Sequence, residues 1–210
     1  VFNDNQAYLD ELNEITFISL TNKGSNKSKN IINAGINATS QLNGIKKFIE
    51  LNGIKKTIFL TPDVNYKNEI EKAIDNSKIR ILGNYIYKTD PTKLTKKIEE
   101  ITNYEKRKQN LKDEIKRLEE SDENNKEKLI QRLKKKDTLG SVKFDSIIIA
   151  DFDESLKSVT TSLLYTDIFP AEKYFITLNQ WFDESLLKET SSQPLYFPSI
   201  NKKNYEDFSL

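Results

Sequence analysis

The strongest constraint on the fold of this chain is an alternation. Short apolar runs, such as Thr57-Ile58-Phe59-Leu60, Ser146 to Ala150 and Tyr174 to Leu178, are each followed by a segment with apolar residues at helical spacing. Runs that are apolar on both faces read as strands covered on both sides, and strands separated by helices pair in parallel. The expected class is α/β, a mostly parallel sheet flanked by helices.

The helical segments follow from their periodicity. Asp4 to Asn13 and Thr39 to Leu51 read as helices, the second carrying Leu42, Ile45, Phe48 and Ile49 on one side and ending at Asn52-Gly53. Ile15 to Leu20 and Asn30 to Ile36 read as strands around a polar loop. Tyr66 to Asp75 is a helix after the turn Thr61 to Asn65, and Lys78 to Tyr87 is mainly extended, broken near Gly83. Asp90-Pro91 starts the next helix, Asp capping free amides and Pro taking the first helical position. Asp153 to Tyr165 is a helix, with Asp153 as its expected cap and Glu154 in the first turn. Leu195 to Phe197 is a last short strand, and Asn204 to Leu210 begins a helix.

Between Tyr104 and Asp137 the apolar density collapses, with 12 Lys/Arg and 9 Asp/Glu. Leu111, Ile115 and Leu118 and then Leu129, Ile130 and Leu133 are helically spaced, with Ser121 to Asn125 between them as a turn that supplies a cap. This is a charged helical hairpin paired along a thin apolar seam, and its basic end Lys134-Lys135-Lys136 reads as solvated. Removing it is expected to leave the sheet intact.

Composition narrows the chemistry. Lys+Arg of 33 against Asp+Glu of 32 leaves a net charge of +1, so no bulk field favours nucleic acid or an anionic membrane. With no Cys and no His, the chain offers no thiolate nucleophile, imidazole base, disulfide framework or zinc cluster. No nucleophile–base pair and no Gly-rich phosphate loop is visible, so neither catalytic residues, a cofactor nor a metal is expected.

In open parallel sheets ligands bind beyond the carboxyl ends of the strands. That rule selects Thr21 and Asn22, Asp63, Asp151 and Trp181, side chains suited to a small polar ligand. Asp151 and Asp153 could receive an ammonium group or a metal, although helix capping is the plainer role for Asp153. Trp181 could stack on a ligand or close the surface of the lobe. Asp183 and Glu184 are neighbours on a short helix and do not face one another, so they read as a solvated helix start.

Lys55 to Leu60 with Pro62-Asp63-Val64-Asn65-Tyr66, Tyr87-Lys88-Thr89-Asp90 before a helix, and Phe144 to Ile149 fall in an order that resembles the type I periplasmic-binding fold of Leu/Ile/Val-binding proteins. Lys67 stands where that family usually has Gly. Phe144 to Ile148, Leu163-Leu164-Tyr165, Tyr174 to Leu178 and Gln180-Trp181 are most similar to the penicillin-binding-protein-activator branch. The resemblance implies a partial first lobe at 1–38, a second lobe at 39–103 and 138–200 interrupted by the hairpin at 104–137, and a truncated return segment at 201–210. It implies that Tyr66 touches ligand. It further implies a non-catalytic, periplasmic protein that binds a small polar, amino-acid-like ligand, as in ABC-transporter substrate-binding proteins. Signal and lipid anchor are then expected outside this chain. The alternative it implies is a lipoprotein that activates a cell-wall synthase by contact with a cell-envelope protein, its cleft disused and the hairpin its docking arm.

Overall fold

The computed structural model describes residues 12, 14–19, 30–33, 37–178 and 189–199. The expected helices at 4–13 and 204–210, the loop carrying Thr21 and Asn22, and the segment with Trp181, Asp183 and Glu184 lie outside the described residues.

Two short parallel strands, β1 (Phe17–Ser19) and β2 (Ile31–Asn33), pair Ile18 with Ile32 in register. Helix α1 (Ala38–Leu51) is capped by the Asn37 side chain, which accepts from Ser40 N–H at 2.8 Å. It stops at Asn52 and Gly53, the latter at φ 63°, where a residue without Cβ is favoured. The remainder alternates as the sequence predicts: β3 (Thr57–Pro62), α2 (Lys67–Ser77), β4 (Gly83–Tyr87), α3 (Pro91–Thr102), β5 (Ser146–Ile149), α6 (Asp153–Tyr165), β6 (Tyr174–Thr177) and β7 (Leu195–Tyr196). Between α3 and β5 lie α4 (Tyr104–Glu119) and α5 (Lys126–Leu133).

The five-stranded sheet is parallel throughout, in the order β4-β3-β5-β6-β7. Strand alternation divides its side chains between two cores. Ile58, Leu60, Ile147, Ile149 and Phe175 pack with Leu94 and Ile98 of α3 and Leu156, Val159 and Leu163 of α6. Phe59, Ile148 and Ile176 pack on the other face with Leu42, Ile45 and Ile49 of α1 and Ile70 and Ala73 of α2. Every residue of β3 and β5 is buried, as expected of strands covered on both faces. This strand order reverses direction between β3 and β5, which makes the carboxyl ends of these two strands the topological switch point.

Three local expectations are corrected. Strand β4 starts only at Gly83, where the extended run is expected to break; Lys78 takes a left-handed conformation as it ends α2, and residues 79–82 lie outside the strand. Asp153 makes no capping hydrogen bond: Phe152 occupies the cap position and Asp153 itself sits at φ 49°. Asn125 precedes α5 likewise without a side-chain cap bond. By contrast Asp90 caps α3 as expected, accepting from Lys93 N–H at 3.0 Å, with Pro91 in the first turn.

The hairpin forms, but its root is not a solvated face. Asn103 turns left-handed at the end of α3 and α4 starts at once. Tyr104 is buried and stacks on Tyr165 with ring centroids 5.3 Å apart. The Arg107 guanidinium, 6% exposed, donates to the carbonyls of Thr166 (2.9 Å) and Gly140 (3.2 Å) and to Thr138 Oγ1 (2.7 Å). Thr138 in turn donates to Asp167 Oδ2 at 2.6 Å, so the cation, a hydroxyl and a carboxylate form one satisfied network. Further out, Leu111 and Leu118 are buried, whereas α5 has no fully buried residue. Lys134, Lys135 and Lys136 are exposed, as expected.

Candidate functional site

The switch point is built from three strand ends. Strand β3 closes at Pro62, which has no N–H to extend the ladder. The next residue, Asp63, donates its backbone N–H to the Tyr87 carbonyl at 2.7 Å, which locks the ends of β3 and β4 together. Three residues on, Tyr66 sits at the start of α2. Strand β5 runs out through Ala150 into Asp151.

Asp151 is 4% exposed at the centre of these ends. The Tyr87 hydroxyl donates to its Oδ2 at 2.6 Å, the Phe152 backbone N–H to its Oδ1 at 3.0 Å, and the Tyr66 hydroxyl to Oδ1 at 3.4 Å. The Tyr66 ring meets Phe152 edge-on, centroids 6.0 Å apart. Burial pushes the Asp151 carboxyl above its ordinary range; the bonds from Tyr87, Phe152 and Tyr66 oppose that shift, and the nearby Asp153 charge adds to it. Burial, and then the Asp151 charge, push both tyrosine hydroxyls up, so each stays a protonated donor.

Chemically this is an oriented carboxylate flanked by two phenols and an aromatic ring. It can accept from an ammonium or amide N–H and hold an apolar group against Tyr66 and Phe152. Among the described residues there is no group of three or more metal-ligating side chains. Concavities lie elsewhere, one of about 660 Å³ between α2 and the approach to β4 and one of about 390 Å³ at the amino ends of the strands. Neither is lined by a buried charged group, and convergent chemistry locates the site better than volume does.

Of the residues selected from sequence, Tyr66 and Asp151 come together. Asp63 does not join them: its carboxylate turns to Lys67 at 2.8 Å, and that hydrogen-bonded ammonium holds it below the usual carboxylate range. Thr21, Asn22 and Trp181 lie outside the described residues. Tyr87 was missed. The usable signal was its place as the last residue of a strand run, directly before Lys88-Thr89-Asp90-Pro91, the same criterion that selected Asp63 and Asp151.

No protein-family model matches the chain, and no curated protein does. Solved structures do. An ABC transporter substrate-binding protein from Desulfitobacterium hafniense aligns over 96% of this chain and 50% of its own, at 13% identity and a TM-score of 0.55. The fold is the type I periplasmic-binding fold. An extracellular ligand-binding receptor from Verminephrobacter eiseniae matches over 72% of this chain and 33% of its own, at 10% identity and a TM-score of 0.43. A substrate-binding periplasmic protein from Ralstonia solanacearum matches over 74% and 33%, at 8% identity and a TM-score of 0.40. This chain of periplasmic-binding fold thus spans between a third and a half of the length of the structures it resembles.

Proposed function

We propose that this chain is part of a non-catalytic, extracytoplasmic binding protein that recognises a small polar, amino-acid-like ligand in an inter-lobe cleft. The observation that carries this reading is the convergence of Tyr66, Tyr87 and Asp151 at the switch point of a parallel sheet. In this reading Asp151 receives the ligand's ammonium or amide N–H, Tyr66 and Phe152 face its side chain, and Thr21, Asn22 and Trp181 contribute to the same ligand. The likeness to a substrate-binding protein of the same fold supports it. Two lobes closing about hinge segments near residues 33–40 would bury the ligand, as in other hinged binding proteins. Asp63, bound by Lys67, serves the rim rather than the ligand.

The test is a thermal-shift screen of the intact protein against amino acids, amides and peptidoglycan fragments, with titration calorimetry on each hit. Asp151→Asn and Tyr66→Ala should each weaken a hit by about 1–3 kcal/mol, the cost of leaving a buried polar partner unmet. A hit indifferent to both changes would take the ligand away from this site.

One observation favours a second reading, a periplasmic lipoprotein that activates a cell-wall synthase through surface contact. The hairpin is fixed to the body by the buried Arg107 network, as a docking arm with a defined direction would need to be. Partner capture abolished by charge reversal at Lys112, Lys116 and Arg117, together with an empty ligand screen, would favour it over solute binding.

A further inference from the structure

The two tyrosines that donate to Asp151 come from opposite faces of the sheet. Tyr87 is 2% exposed and belongs to the core that holds Leu94 and Ile98 of α3 and Leu156 of α6. Tyr66 and Phe152 are half-buried and pack against the other core, the one formed with α1 and α2. The carboxylate therefore stands between the two faces. Its Oδ2, bonded to Tyr87, turns to the closed α3–α6 side. Its Oδ1, bonded to the Tyr66 hydroxyl and the Phe152 N–H, turns to the half-buried side.

The two oxygens are also held with different strength. The Tyr87 bond is 2.6 Å, the length of a charge-assisted O–H···O⁻ contact, and it comes from a phenol that burial keeps from water. The Tyr66 bond is 3.4 Å, beyond the roughly 2.5–3.0 Å of a well-made O–H···O bond. A donor brought to Oδ1 competes with a long bond from a half-buried ring. A donor brought to Oδ2 must displace a short bond and leave a phenol hydroxyl unmet in an apolar core.

We infer, building on the reading of Asp151 as the ligand's acceptor, that it presents the single oxygen Oδ1 to a ligand and that Tyr87 thereby sets the class of head group. A primary ammonium suits this arrangement, being a compact point charge whose N–H bonds are made one at a time. A guanidinium does not, because its strength is a planar fork that engages both oxygens of a carboxylate in parallel. Here the second N–H of the fork meets an oxygen already taken by Tyr87. The ligand class is a primary ammonium with a short apolar body lying against Tyr66 and Phe152, and guanidino compounds of the same shape are selected against. Tyr87 acts through Asp151, as a positioning residue.

Two fragments that differ only in the head group, n-butylammonium and n-butylguanidinium chloride, provide the test. Each is titrated at neutral pH into the intact protein, with the aspartate carboxyl carbons and the tyrosine ζ-carbons labelled for NMR. Butylammonium should move the Asp151 carboxyl and Tyr66 ζ-carbon signals and leave the Tyr87 ζ-carbon in place. Butylguanidinium should bind about tenfold more weakly or worse. Tyr87→Phe frees Oδ2 and should narrow that preference by about tenfold. Equal binding of the two fragments, tighter binding of the guanidinium, or a Tyr87 signal that moves as far as that of Tyr66 overturns the inference and leaves Asp151 a ligand acceptor. A preference unchanged in a folded Tyr87→Phe variant does the same. Should that variant fail to fold, the fragment ratio and the two tyrosine signals of the unsubstituted protein decide. An Asp151 carbon that neither fragment moves takes the ligand away from this carboxylate, and the small-ligand reading of the site falls with the inference.

Discussion

The hydroxyl of Tyr87 reaches Oδ2 of Asp151 at 2.6 Å across the end of β3, joining residues from two strands that do not neighbour each other. The bond fixes the carboxylate at the switch point and ties together the two halves of the doubly wound sheet.

Its removal gives the first prediction. Tyr87 is 2% exposed, so Tyr87→Phe deletes a hydrogen bond to a buried carboxylate without opening a cavity. The expected loss at neutral pH is about 1–3 kcal/mol in chemical denaturation. With that donor gone, the Asp151 carboxyl should titrate higher still. The pH dependence follows from linkage. Asp151 holds its proton more tightly in the folded state than at the ordinary 3.8, so the native form takes up a proton first as pH falls. Stability from this group therefore rises as pH drops through the folded pKa, and levels off below 3.8. Asp151→Asn should remove that slope; a slope unchanged in the variant would assign it to other groups.

Arg107 is the second. Its guanidinium is buried against three carbonyls (Gly140, Thr166 and Asp167), a hydroxyl and, at 3.9 Å, the Asp167 carboxylate. Arg107→Ala strands those acceptors and should cost about 2–4 kcal/mol. Arg107→Lys should recover little, because an ammonium cannot reproduce the fork that reaches Thr166, Gly140 and Thr138 together. Hydrogen exchange is the discriminating measurement: α4 and α5 should lose protection while β3 and β5 keep theirs.

Truncation of the hairpin should depend on where it is cut. Replacing residues 113–131 by a short Gly/Ser link removes helix that packs mainly on itself, and the thermal transition should stay cooperative within a few degrees. Replacing all of 104–137 also removes Tyr104 and Arg107, and should carry the additional cost of the Arg107 network. Equal midpoints for the two deletions would show that the root contributes nothing to the body.

The sheet was legible because its signal is local. Ile147, Ile148 and Ile149 are apolar on both faces, and only a doubly covered strand accepts that pattern. Helix α3 was legible from Asp90-Pro91, since capping is decided within one turn. The Arg107 anchor was not. A charged residue in a segment with twelve cations reads as solvent-facing, and its partners Thr138, Gly140 and Thr166 are distant in sequence. Tyr87 was hidden for the same reason: its role depends on β3 lying between it and Asp151. The strand-end rule found Asp151 but could not foresee that Lys67 would take Asp63 out of the cluster.

Asp153 supplies the last prediction. It follows the site carboxylate by two residues and holds φ 49°, a left-handed conformation that costs a side chain of this kind on the order of 1 kcal/mol. Asp153→Gly relieves that strain but also removes an acid from the first turn of α6, worth about 0.3–1 kcal/mol against the helix dipole. The two effects oppose and are similar in size, so stability should change little. The charge beside Asp151 changes outright, however. One of the influences raising the Asp151 carboxyl disappears, and its titration followed by carboxyl-carbon NMR should move down toward the ordinary value. An Asp151 midpoint unmoved in Asp153→Gly would mean that burial and the bonds from Tyr87, Phe152 and Tyr66 set the proton affinity of the site without the Asp153 charge.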